Sequence, residues 1–139
     1  MAFRIRQPVR HPDVDRAGIV YFPRFYDFFH RALEDFFQQE ANLPYWSLEE
    51  AHRVALPVVH IETDFERPLA HGDLVTIELE TLALGEHSVT LGYKVFRPGD
   101  AEPASSSRIV LCAVEVPSWR KVAVPDVVRR AFERHLVAR

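Results

Sequence analysis

The sequence predicts an α+β domain, a single antiparallel sheet with helices on one side of it. Three observations predict it. Between residues 23 and 40 phenylalanines recur at helical spacing. Four later segments (54–65, 73–84, 87–96 and 108–116) alternate apolar with polar residues or run continuously apolar. An amphipathic pattern over 125–137 then closes the chain. With 139 residues the chain has the size of one domain, 1–139, able to build one core.

Phe3, Ile5 and Val9 alternate with Arg4, Arg6 and Arg10, a period-two pattern that reads as a first strand, with Pro8 suited to a sheet edge or a strand end. The helix is expected to begin near Phe22, because Pro23 suits a first helical position where a missing N–H costs nothing. Phe25, Phe29, Ala32 and Phe36 share one face of it, and Phe22, Phe28, Leu33 and Phe37 widen that face. So apolar a helix must lie at the centre of the fold. Asn42-Leu43-Pro44 ends it, since the residue before a proline is pushed out of the helical region, and Ser47-Leu48-Glu49-Glu50 caps a further short turn.

Residues 54–65 read as one extended, β-branched strand with Pro57 near its start. In 73–84, Val75, Ile77 and Leu79 point inward against Thr76, Glu78 and Glu80, as in a strand with one wet face. Gly85-Glu86 connects it to 87–96, where Val89, Leu91, Tyr93 and Val95 point inward. A loop is expected from Arg97 through Ser105-Ser106-Ser107, followed by 108–116, the most apolar strand and hence a central one. A short extended piece over 121–124 leads to the last helix, with Val128, Phe132 and Leu136 on one face.

Composition excludes several classes. A net charge of -3 with both signs scattered gives no surface for nucleic acid or an anionic membrane. The single cysteine, Cys112, excludes an internal disulfide and sits in an apolar run as a buried thiol, which fits a reducing compartment. The N-terminus lacks the apolar core of a signal peptide, and no stretch approaches the ~20 apolar residues of a membrane span, so a cytoplasmic protein is expected. The seven histidines fall into no metal-ligand spacing, and a site built from His11, Asp13 and Asp15 is not expected. No G-x-S-x-G elbow and no phosphate-cradling glycine loop occur.

The stretch from His11 to Tyr26 concentrates the chemistry. Asp15 stands beside the Ala17-Gly18 turn, and the Phe22 N–H lies where a helix start leaves backbone donors without partners. Asp15 activates water or attacks an acyl carbon in this reading, while the Phe22 N–H polarises the acyl oxygen. The competing use of Asp15 is as a cap of the turn that follows it. Asp13, nearby, reads as a solvated loop acid.

The run Asp15-x-Ala17-Gly18-Ile19-Val20-Tyr21-Phe22-Pro23-x-Phe25-Tyr26 resembles the signature of hotdog-fold acyl-CoA thioesterases of the 4-hydroxybenzoyl-CoA thioesterase family. The likeness continues through Leu43-Pro44-x-Trp46 and covers most of the chain. It implies a sheet of about five strands wrapped around the long helix plus a C-terminal helix, and protomers paired into a homodimer or homotetramer with sites between subunits. It implies Asp15 as the catalytic carboxylate, nucleophile or general base, and Phe22 N–H as its donor. Gly18, Tyr21, Tyr26, His30, Trp46, Leu56 and Pro57 become the substrate-binding positions.

Two positions depart from the family. His30 stands where members binding hydroxybenzoyl groups carry an aspartate, and Leu56 replaces a hydroxyl residue. Where that enzyme has a basic cluster before its fourth strand, this chain reads Gly85-Glu86-His87-Ser88, which leaves phosphate binding to Arg97, Arg120, Lys121 or a neighbour's Arg67. The implied substrate is a thioester of coenzyme A, or of an acyl carrier protein, with an aromatic or medium acyl group. No separate cofactor is implied, since coenzyme A is part of the substrate. The alternatives are a hotdog hydratase or dehydratase recruiting His30 or His60, and a non-catalytic acyl-binding module.

Overall fold

The computed structural model describes residues 2–137. In chain order the elements are β1 (Phe3–Pro8), a 3₁₀ turn (His11–Asp13), α1 (Arg24–Glu40), α2 (Ser47–His52), β2 (Val54–Ala55), β3 (Val58–Phe65), β4 (Leu74–Leu84), β5 (Ser88–Phe96), β6 (Ser105–Cys112), β7 (Val114–Glu115) and α3 (Asp126–Arg134). Five strands form one sheet in the order β1-β4-β5-β6-β3, with every neighbouring pair antiparallel. This is the hotdog architecture, with the C-terminal helix present.

The phenylalanines of α1 explain why the sheet closes on it. Phe25, Phe28, Phe29, Phe36 and Phe37 are buried with Ala32 and Leu33, facing Val75, Ile77 and Leu79 of β4 and Val89, Leu91, Tyr93 and Val95 of β5. The alternation read from the sequence therefore points inward as expected. Ring geometry sets the packing. Phe36 stacks on Phe132 of α3 at 5.4 Å and receives Phe3 of β1 edge-on at 5.4 Å, and such pairs are worth about 0.5–1.5 kcal/mol beyond burial.

The structure corrects the expected boundaries in four places. The helix starts at Arg24, with Pro23 as its cap, rather than near Phe22. The segment 54–65 is not one strand, because β2 pairs with β7 in a separate two-stranded sheet while β3 joins β6. The break between them holds Pro57, which has no N–H to give a ladder. Ser105, Ser106 and Ser107 are not a loop. They open β6, paired to β5 on one side and β3 on the other, with Ser105 and Ser107 buried. Their hydroxyls are satisfied locally, Ser105 donating to the Asp64 carbonyl and Ser107 to that of Glu62, which lets polar residues sit in an interior strand. The most central strand is β5, with β6 next to it.

Leu136 also lies beyond its expected helix, since α3 ends at Arg134. The chain then turns to bridge β4, where Thr81 N–H donates to the His135 carbonyl and Val137 N–H to the Thr81 carbonyl. His135 Nε2 lies 2.6 Å from Glu40 Oε1 and ties this tail to the end of α1.

One edge of the sheet exposes apolar side chains beside charged ones. β3 ends the strand order, and Val58, Val59, Ile61 and Phe65 along it are exposed in the protomer, as are Ile19, Tyr21 and Phe22 of the loop before α1. An unpaired strand edge of this kind is a template for further pairing.

Candidate active site

The loop before α1 is a small hairpin. Val14 bridges Val20, Asp15 N–H donates to the Ile19 carbonyl at 2.9 Å, and Gly18 N–H donates back to the Asp15 carbonyl at 3.0 Å. Gly18 has φ +81°, a conformation that L side chains rarely adopt, so the turn depends on glycine there. Val20 N–H donates to the Leu69 carbonyl and ties the hairpin to the 66–70 loop.

Asp15 is exposed, and its Oδ1 accepts from the Ala17 N–H at 2.8 Å. The capping use of this aspartate is therefore real. It occupies one oxygen and orients the carboxylate, while no hydrogen bond to another described residue uses the second. Asp13 differs from its expected solvated state. It is buried, its Oδ2 accepts from the Arg10 N–H at 2.9 Å, and its carbonyl accepts from Tyr21 N–H at 3.0 Å. Its role is to close the 3₁₀ turn.

The start of α1 is satisfied by tight turns. The N–H groups of Arg24, Phe25 and Tyr26 donate to the carbonyls of Tyr21, Phe22 and Pro23. Among the described residues none accepts from Phe22 N–H, which stays free one residue before the helix cap. Its ring meets Phe65 edge-on at 6.1 Å, beside a groove shared with Ile19, Val20, Phe25 and Arg67.

A cavity of about 180 Å³ lies between α1 and the sheet. Tyr26, His30 and Leu56 of the expected binding positions line it, together with Phe29, Tyr45 and Tyr93. Val58 and Ile61 of the exposed edge also border it, and Asp15 lies outside its lining. Tyr26 is held in place, its hydroxyl donating to Thr63 Oγ1 at 3.0 Å, with Ser107 Oγ a further 2.8 Å on. His30 Nε2 lies 3.2 Å from Glu34 Oε1, one helical turn away, and its ring meets Tyr45 edge-on at 4.9 Å. Burial and the nearby Glu34 carboxylate push the Tyr45 phenol above its ordinary range, and burial pushes that of Tyr93 far higher.

The other predicted residues fall elsewhere in the protomer. Pro57 is half-buried beside Leu56, its carbonyl accepting from Cys112 N–H at 3.1 Å. Trp46 is 68% exposed in a separate groove with Arg53, Val116 and Pro117. The protomer thus brings Tyr26, His30 and Leu56 together but keeps Asp15, Gly18, Tyr21 and Phe22 on the hairpin and Trp46 apart. His60 pairs with Glu62 at 3.0 Å on the open edge, where the histidine holds that carboxyl below its usual range. Among the candidate phosphate ligands, Arg97 is engaged by Asp100 at 2.7 Å, Arg67 by the Glu102 carbonyl at 2.8 Å and Arg120 by Glu115 at 3.3 Å.

Sequence reasoning missed Tyr45 and the use of Tyr93. Alternation placed Tyr93 inward, yet nothing local distinguishes a tyrosine packed in a core from one that ends a cavity. Among the described residues, no group of three or more His, Cys, Asp or Glu side chains is placed to hold a metal ion, and no helix is long and apolar enough to cross a membrane.

Comparison with known proteins shows the family and the fold. The family model described as the thioesterase-like superfamily matches residues 9–132. The 1,4-dihydroxy-2-naphthoyl-CoA hydrolase of Trichodesmium erythraeum is 36% identical over 134 residues, 94% of each chain. A solved protein of Pseudomonas aeruginosa superimposes with a TM-score of 0.88 at 26% identity, over 98% of this chain and 92% of that one. The structure of a 1,4-dihydroxy-2-naphthoyl-CoA thioesterase from Synechocystis, 24% identical over 95% of this chain and 96% of its own, shares the fold with a TM-score of 0.87.

Fold and relatives together define a hotdog thioester hydrolase. The chain belongs to the thioesterase-like superfamily, and its activity is that of an acyl-CoA thioesterase.

Proposed function

We propose that the chain hydrolyses an aromatic acyl-CoA, of the 1,4-dihydroxy-2-naphthoyl type named for its Trichodesmium relative, with the Asp15 carboxylate as base or nucleophile. The observation that carries this is the hairpin, which leaves one Asp15 oxygen and the Phe22 N–H uncommitted on a single loop. As a base, Asp15 takes a proton from water, whose hydroxyl adds to the thioester carbon. The developing oxyanion is met by the Phe22 N–H. Collapse breaks the C–S bond, and the departing thiolate of coenzyme A recovers a proton from Asp15. As a nucleophile, the carboxylate itself adds to the thioester carbon, and the C–S bond breaks to expel the coenzyme A thiolate and leave an acyl anhydride on Asp15. Water then hydrolyses that anhydride, freeing the acid and Asp15 and supplying the thiolate with its proton. Both routes need the same unblocked oxygen.

The acyl group occupies the cavity lined by Tyr26, His30 and Leu56, and Gly18 and Tyr21 shape the approach to the thioester. Asp15 lies outside that cavity while the apolar edge of β3 borders it. This disposition supports a homodimer, at least, in which β3 edges meet and the hairpin of one protomer faces the cavity of its partner. Pro57 and Trp46 join the site across that interface. We place the activity in the cytoplasm, where the single half-buried thiol of Cys112 stays reduced.

A panel of aromatic and aliphatic acyl-CoA thioesters, followed by a thiol reagent, tests the proposal. Release from aryl-CoA well above that from long-chain acyl-CoA is expected. Preference for long aliphatic chains would overturn the substrate assignment.

A further inference from the structure

The cavity beside α1 is apolar along its walls but not at every point. Tyr93 is 3% exposed, stacks on Phe29 at 4.8 Å with 29° between the rings, and still contributes to the cavity lining. No hydrogen bond to another described residue uses its hydroxyl. The same holds for the hydroxyl of Tyr45, which lines the cavity from the loop after α1 and packs on Phe37 at 5.1 Å. The contrast with Tyr26 is informative, because the third phenol of the cavity is already spent on Thr63. Neither hydroxyl is sealed off from open space, so two phenols without a protein partner on the wall of one cavity are placed to bond a ligand oxygen, or water in its absence.

We infer that Tyr93 and Tyr45 form the polar end of the acyl cavity and select aryl thioesters that carry a hydroxyl or carbonyl oxygen on the ring. This rests on the aryl-CoA hydrolase reading above and adds the residues that choose among aryl groups. Size supports a ring. An apolar cavity of about 150 Å³ accepts benzene, so about 180 Å³ has room for an aromatic ring. Protonation supports recognition through hydrogen bonds. Burial holds both phenols above their ordinary range, so each keeps its proton and presents a donor and an acceptor. A ring oxygen that reaches them replaces water at little cost, whereas an unsubstituted ring leaves both hydroxyls without a partner.

The test compares 4-hydroxy-2-naphthoyl-CoA with 2-naphthoyl-CoA as a matched pair. The wild-type protein is expected to show kcat/KM about tenfold higher for the hydroxylated thioester, the size expected of one neutral hydrogen bond. Tyr93→Phe keeps the ring that stacks on Phe29, and its ratio is expected to fall about tenfold with the melting temperature retained. Tyr45→Phe shifts the ratio in the same direction. A wild-type ratio near one, or a ratio unmoved in both variants, overturns the inference. Fluorescence titration with the two free naphthoates separates this from the hydrolase reading. Tighter binding of the hydroxylated acid, lost in Tyr93→Phe, upholds the cavity even where neither thioester is cleaved, a result that would overturn aryl-CoA hydrolysis alone. Equal affinities overturn the cavity assignment.

Discussion

Oδ1 of Asp15 accepts a hydrogen bond from the Ala17 N–H at 2.8 Å, so one carboxylate serves both the turn and, through its other oxygen, the solvent. The two roles respond differently to substitution. Asp15→Asn keeps an oxygen for the Ala17 N–H but is a poor base and nucleophile, so thioester hydrolysis is expected to fall by about 10²–10⁴-fold with an unchanged melting temperature. Asp15→Ala loses the turn bond as well, at a further cost of about 1 kcal/mol in stability. Steady-state rates and thermal melts check both, and an asparagine variant within about threefold of wild type would remove Asp15 from the mechanism.

Gly18 at φ +81° has open space where a Cβ would project, so its substitution acts through backbone conformation alone. Gly18→Ala is expected to cost about 1 kcal/mol and to lower kcat more than that loss suggests, because the turn it distorts holds Asp15. Kinetics beside a denaturant melt separate the two effects. Equal and small changes in both would mean that the turn does not position the carboxylate.

The apolar edge of β3 predicts association. Val59 is 61% exposed in the protomer and lies outside the cavity beside α1. Val59→Arg places a charge on the edge that the proposed partner subunit covers. Light scattering is expected to show a dimer or larger assembly for the wild type and a shift toward monomer for the variant, with activity falling in parallel. A fully active wild-type monomer at micromolar concentration would sink the two-subunit site.

The buried Tyr93 phenol gives a signed pH dependence. Its ordinary pKa is 10.0, and burial, with a smaller contribution from the Tyr45 phenol, raises it far above that in the folded state. Above pH 10 the unfolded chain releases this proton and the folded one does not. Stability is therefore full below pH 10 and declines as pH rises, by about 1.4 kcal/mol per pH unit for this one group. Tyr93→Phe has no phenol to ionise there, so its urea-melt stability should decline less steeply than that of the wild type between pH 10 and 12. Parallel slopes would show that the phenol ionises freely in the fold.

The sequence alone determined the elements whose signal is local and periodic. The seven buried residues of α1 recur with the helical period, β4 and β5 alternate cleanly, and Gly18 and Pro23 punctuate the hairpin and the helix start. The hairpin and helix start between Asp15 and Tyr26 are legible for the same reason, because the residues that turn the chain lie within a few positions of one another. Tertiary structure decided what depends on partners distant in the chain. The Ser105 to Ser107 run reads as a loop until β3 supplies carbonyls from 62 and 64 for two of its hydroxyls. Asp13 reads as solvated until the 3₁₀ turn buries it, and 54–65 reads as one strand until β7 draws its first residues into another sheet. Tyr45 and Tyr93, 48 positions apart in the chain, share a cavity only because α1 packs across β5. Periodicity reports which way a side chain points, and hydrogen-bond partners and cavity walls arise only when separate elements meet.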